Sequence, residues 1–111
     1  WILEPSPDAP SAAGASGIMY YSAAERAVSV TVYGLPSLAE GQIYQLWYLE
    51  GESEAVPAGL LRIDDTGLAY FAAQNVQFDT LPNIAISIEP DGGSTSLSGA
   101  VVMVGRISAA G

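Results

Sequence analysis

The sequence predicts an all-β domain: an antiparallel β-sandwich, Ig-like or Greek-key in type, of about seven or eight short strands. Three observations carry that expectation. Apolar residues recur with period two in several segments, clusters of Gly, Pro, Asp and Ser separate those segments, and no stretch has a convincing helical period. The densest apolar run is Gln42-Ile43-Tyr44-Gln45-Leu46-Trp47-Tyr48-Leu49, bounded by Gly41 and Gly51. Its length, aromatic content and flanking glycines favour a strand over a helix. Side chains alternate across a strand, so Tyr44, Leu46 and Tyr48 share one face while Ile43, Gln45, Trp47 and Leu49 share the other. Both faces are largely apolar, which places this strand in the middle of a sheet.

In chain order, Trp1-Ile2-Leu3 is apolar and suits a short edge strand. Residues 5–17 are rich in Pro, Ser, Ala and Gly and lack ladder donors at three prolines, so they read as a loop or hugging linker. Ile18 to Ser22 forms a strand, and Ala23-Ala24-Glu25-Arg26 a polar turn. Ala27 to Tyr33 alternates cleanly, with Val28, Val30 and Val32 inward. Gly34-Leu35-Pro36 ends that strand, and Ser37 to Gly41 has the capping-box spacing of one short helical turn. After the acidic loop 50–54, Val56 to Ile63 and Leu68 to Ala72 pair as a hairpin. Asp64-Asp65-Thr66-Gly67 between them fits a type I turn with a left-handed glycine. Pro57 suits a strand at an edge. Residues 74–82 connect onward, with Phe78 and Leu81 expected against the core. Asn83 to Glu89 alternates with Ile84, Ile86 and Ile88 inward against Ala85 and Ser87. A Gly/Ser-rich loop, Pro90 to Gly99, leads to a last strand, Ala100 to Ile107, and a frayed end.

A chain of 111 residues forms one domain, 1–111, with 1–17 partly linker-like. The 50% apolar content supports a core without disulfides, and cysteine is absent. Twelve acidic groups against 3 basic ones give a net charge of −9, which repels phosphate backbones and anionic headgroups. Nucleic acid is therefore not an expected partner. No apolar run approaches the roughly 20 residues that span a bilayer, and no signal-peptide pattern is present. The chain opens on Trp1 without an initiator Met and reads as a fragment of a longer protein.

Histidine and lysine are absent too, which removes Ser-His-Asp, Cys-His and Ser-Lys nucleophilic systems and the usual zinc sites. Paired-carboxylate hydrolysis needs a cleft that a domain of this size has little room for. No enzymatic activity, catalytic residue or cofactor is expected. Glu89-Pro90-Asp91-Gly92-Gly93-Ser94 lacks the strand-to-helix setting of a phosphate cradle and reads as a tight turn. Asp64, Asp65, Glu89 and Asp91 could offer oxygen ligands to calcium, but their spacing suits turn chemistry better, so no metal site is assigned. Tyr20, Tyr21, Tyr33, Tyr44, Trp47, Tyr48 and Tyr70 could form a sugar-stacking platform, though aromatics in strands are more often core.

Four segments, in order, resemble one family. Gly41-Gln42-Ile43-Tyr44-Gln45-Leu46-Trp47 is similar to the signature of the C-terminal domain of anti-sigma-K factors (RskA-type), and Gly34-Leu35-Pro36 resembles its usual lead-in. Pro57-Ala58-Gly59-Leu60-Leu61 with Asp65-Thr66-Gly67 resembles the family's next hairpin. Ile86-Ser87-Ile88-Glu89-Pro90-Asp91-Gly92-Gly93-Ser94 resembles its Glu-Pro-x-Gly-Gly-Ser element. Leu97-Ser98-Gly99 departs from the Pro-Thr-Gly that family members often carry. The resemblance implies the extracytoplasmic domain of a membrane-anchored bacterial anti-sigma factor. A cytoplasmic segment, outside this chain, would hold the sigma factor; a transmembrane helix, also outside it, would join the two. Regulated proteolysis would release the sigma factor, so a protease is a possible partner. The motif residues Tyr44, Gln45, Leu46, Trp47, Gly59, Glu89, Pro90, Gly92 and Gly93 would then be scaffold. The rival expectations are a secreted or surface carbohydrate-binding module and a spacer that self-associates through an edge strand.

Overall fold

Among the residues described by a computed structural model (2–5, 14–36, 38, 40–50, 54–64, 67–76, 82–94 and 101–106), the chain forms eight strands and no helix. They are β1 (Ile2–Pro5), β2 (Ser16–Ser22), β3 (Ala27–Tyr33), β4 (Gln42–Glu50), β5 (Glu54–Leu61), β6 (Leu68–Ala73), β7 (Asn83–Pro90) and β8 (Val101–Arg106). The segments read as strands from periodicity are strands. The expectations for Ser37, Asp65, Thr66, Phe78 and Leu81, for the proline-rich stretch 6–13, for loop 95–100 and for the terminus 107–111 lie outside the described residues.

All eight strands belong to one antiparallel sheet in the order β5-β4-β7-β8-β1-β2-β3-β6. Strands β4, β5 and β6 follow one another, and β7 returns to lie beside β4, a Greek-key path. The expected two-sheet sandwich is corrected here: one sheet curls until its outermost strands meet, giving a nearly closed barrel. The reason is β1. Read from the sequence as an edge, it pairs on both sides, Leu3 opposite Gly105 of β8 and Ile2 opposite Ile18 of β2. This short strand joins two halves that would otherwise be separate sheets. Close approach is possible because Gly105 carries no side chain; an added Cβ would overlap Ile84 and press on Leu3.

β5 ends the ladder, as Pro57 suggested, and a register shift between Leu46 and Trp47 of β4 leaves Ala58 of β5 as a bulge beside it. Opposite stands β6, the other end of the order. At the described ends of the turn that joins them, Gly67 has the expected left-handed φ, 84°, and its N–H donates to the Asp64 carbonyl at 3.1 Å. Gly59 of β5 faces the Phe71 ring of β6 so closely that a Cβ would overlap it. Gly59→Ala is therefore expected to push β5 from β6 and lower stability by about 1–3 kcal/mol. Urea unfolding checks the loss, and hydrogen exchange should show faster amides in β5 and β6 alone. Adding Phe71→Ala should return part of it.

Val28, Val30 and Val32 of β3 face Tyr44, Leu46, Ile84, Ile86 and Met103 inside one apolar core. β7 departs from the simple alternation expected of it. Ile84 and Ile86 are fully buried and Ile88 is half-buried, yet Ala85 and Ser87 on the opposite face are buried as well. An interior strand flanked by β4 and β8 has no free face when its neighbour's large side chains cross it, and here Trp47 does so.

Candidate functional site

Alternation along β4 sends Tyr44, Leu46 and Tyr48 into the main core and Ile43, Gln45 and Trp47 to the other face. That second face carries the polar residues of the sequence motif. β7 runs beside β4 with Gln45 opposite Ser87 and Ile43 opposite Glu89, so the side chains meet on one surface. The Trp47 indole N–H donates to Ser87 Oγ at 2.8 Å, and the Ser87 hydroxyl donates to Glu89 Oε2 at 2.6 Å. Trp47 and Ser87 are wholly buried and Glu89 is 1% exposed, so this chain runs in a low-dielectric interior where each bond is strong and each loss costly.

Gln45 makes the second half of the arrangement. Its Nε2 donates to the Ser94 carbonyl at 3.0 Å and its Oε1 accepts the Ser94 N–H at 2.8 Å. The carboxamide thus imitates a strand partner and clasps the loop after β7. That loop can fold back because Gly92 and Gly93 have φ of 96° and 87°, where side chains are strained. Gly93 also lacks room, since a Cβ there would stand 2.9 Å from Leu60 Cδ2. The Gly93 N–H closes the turn on the Pro90 carbonyl at 2.8 Å, and the Asp91 N–H reaches the Gly41 carbonyl at 2.9 Å. The Gln45 clasp holds Ser94 to β4, and the Asp91–Gly41 bond holds the start of the same loop to the residue before β4.

The structure brings Gln45, Trp47, Glu89, Pro90, Gly92 and Gly93 together. Leu46 lies on the opposite, core side, Tyr44 donates its hydroxyl to the Pro36 carbonyl at 2.7 Å, and Gly59 lies at the β5–β6 contact. Sequence reasoning missed Ser87 and Ser94 as members. Ser87 stands two residues before Glu89 and so shares its face; that parity was the available signal. Ser94 contributes only main-chain atoms, which no side-chain pattern reveals.

Among the described residues every buried side-chain polar atom has a partner, and no group of three His, Cys, Asp or Glu could hold a metal. Asp64 Oδ1 accepts the Leu68 N–H at 3.1 Å, the turn chemistry expected of it. Ser87 Oγ is enclosed, accepting from Trp47 while donating to Glu89. The arrangement holds strands and a loop in place.

Burial raises the phenol pKa of both Tyr44 and Tyr48 above the ordinary 10.0. The folded state thus favours the neutral phenols. Their contribution is fully present below pH about 10 and is lost as pH rises, because the unfolded chain ionises first. The urea midpoint is expected to hold up to about pH 10, to fall as the pH rises above it, and to fall less in Tyr44→Phe.

The seven aromatics that could offer a sugar-stacking platform do not form one surface. Tyr44, Trp47 and Tyr48 are interior and Tyr21 is half-buried, its hydroxyl donating to the Val76 carbonyl at 3.3 Å. Tyr20, Tyr33 and Tyr70 point outward.

An antiparallel β-module whose motif residues lock one loop onto its central strands is the class defined by fold and site. The chain belongs to the family described as "Anti-sigma-K factor rskA, C-terminal", whose profile matches residues 4–101. Membership implies an anti-sigma factor role, with a sigma factor as partner. No curated protein and no solved structure matches the chain. No helix among the described residues is long and apolar enough to cross a membrane.

Proposed function

We propose that this domain is the sensory or shielding part of a membrane-anchored anti-sigma factor, standing on the extracytoplasmic face of the bacterial cell membrane. It works without catalysis, limiting a protease's access to a juxtamembrane site until its stability or contacts change. Cleavage then frees an extracytoplasmic-function sigma factor held by a separate cytoplasmic segment. The observation that carries the reading is the family match over residues 4–101, which takes in the whole motif. Two features support it. The motif residues Trp47 and Glu89 are enclosed, which suits scaffold more than a contact surface. The net charge of −9 suits a dispersed domain that avoids anionic headgroups and nucleic acid.

Deleting the domain from the longer membrane protein tests the shield. Sigma release without stress should rise, read as transcription from a sigma-dependent promoter. Unchanged release would remove the shielding role.

A further inference from the structure

Of the five large apolar side chains exposed among the described residues, four share one outer face: Ile2, Tyr20, Tyr33 and Tyr70. The register shows why. Ile2, Ile18, Thr31 and Tyr70 form one cross-strand row, Tyr20, Ser29 and Ala72 the next, and Ser16, Tyr33 and Leu68 a third. Directly opposed residues point to the same side, so the tyrosines rise among serines, a threonine and alanines. Tyr20 and Tyr70 are 65% and 61% exposed, and they stand two strands apart, about 10 Å across the sheet. A groove of about 350 Å³ runs between them over Ala27, Ser29 and Ala72, with Glu25 and Gln74 also on its lining. Its end is fixed in place, since the Val76 N–H donates to the Arg26 carbonyl at 2.8 Å.

We propose that the groove between Tyr20 and Tyr70 binds a neutral saccharide chain. A pyranose or furanose ring has an apolar C–H face and a rim of hydroxyls. Tyrosine rings proud of a floor of small side chains receive the first by stacking. The Ser29 hydroxyl, the Glu25 carboxylate and the Gln74 amide offer donors and acceptors to the second. Charge decides which polymers fit: no cation among the described residues lines the groove, and a molecule of net charge −9 repels anionic chains. A peptide added as an extra strand would lie along β6, at the end of the order, and not over this face, because the ladders of β2 and β3 are paired on both sides. The inference rests on the extracytoplasmic reading for its biology, where the glycan would be the sensed ligand; the site itself rests on the tyrosines.

The test is titration of the chain, with its tyrosine rings ¹³C-labelled, against oligomers of glucose, N-acetylglucosamine, mannose and arabinose and against a polyproline peptide. At least one oligosaccharide should shift the Tyr20 and Tyr70 ring signals saturably. Tyr20→Ala and Tyr70→Ala should each weaken binding about fivefold or more, with unchanged melting, since both rings are exposed. The proposal is overturned by ring signals that no oligosaccharide moves, by binding that survives the double substitution, or by shifts that only the peptide produces. Ring shifts that appear with protein concentration alone would also overturn it, marking the face as a self-association surface. A negative titration leaves the sigma-release result standing, and unchanged sigma release leaves binding in solution standing, so the two readings fail separately.

Discussion

Trp47→Ala is expected to lower folding stability by about 3–5 kcal/mol, measured as the extrapolated free energy of urea unfolding. Domains of this kind are stable by only about 5–15 kcal/mol, so the variant should be partly unfolded at ambient temperature. Two losses add. The largest fully buried side chain among the described residues leaves a cavity, and Ser87 loses the N–H it accepts at 2.8 Å. Trp47→Phe separates them, keeping most of the apolar volume while removing the donor. Its loss should be nearer the 1–3 kcal/mol typical of one buried hydrogen bond. In the proposed regulator, Trp47→Ala should also raise sigma release, because an unstable shield exposes what it covers. Equal stability of wild type and Trp47→Ala would place the indole outside the scaffold.

Glu89→Ala should have the next largest effect, roughly 2–4 kcal/mol, since a buried hydroxyl loses its acceptor and the space stays unfilled. Glu89 is 1% exposed and accepts from Ser87 at 2.6 Å. Glu89→Gln retains an oxygen for that bond and should lose less. The double variant Ser87→Ala/Glu89→Ala gives a sharper check: with the donor gone as well, the loss should fall short of the sum of the single losses. Full additivity would show that the two side chains do not act together.

Much of this was legible in the chain. The alternation of Val28, Val30 and Val32 marked β3 and its inward face, and the aromatic run Gln42 to Leu49 marked a strand buried on both sides. The Asp64 to Gly67 turn was legible because only glycine takes the left-handed φ of 84° without strain. The family was legible too, through four motifs in order. The partners of those motifs were not. Gln45 sits in an apolar run, and its clasp joins residues 49 apart in the chain, with the backbone of Ser94 as partner.

What the sequence determined by itself is local: which segments are strands, which face of each is apolar, where glycine turns the chain, and the family these residues resemble. Period-two patterning and turn chemistry act over a few residues and need no partner to be read. Whether the strands make two sheets or one was decided only in three dimensions. Ile2 to Pro5 looks the same at an edge or in an interior, and β8, its partner on one side, lies at the far end of the chain. The same holds for the aromatic residues. Tyr44 and Tyr70 are the same amino acid in similar strands, yet one is buried and the other 61% exposed, because only packing chooses which face of the sheet is closed.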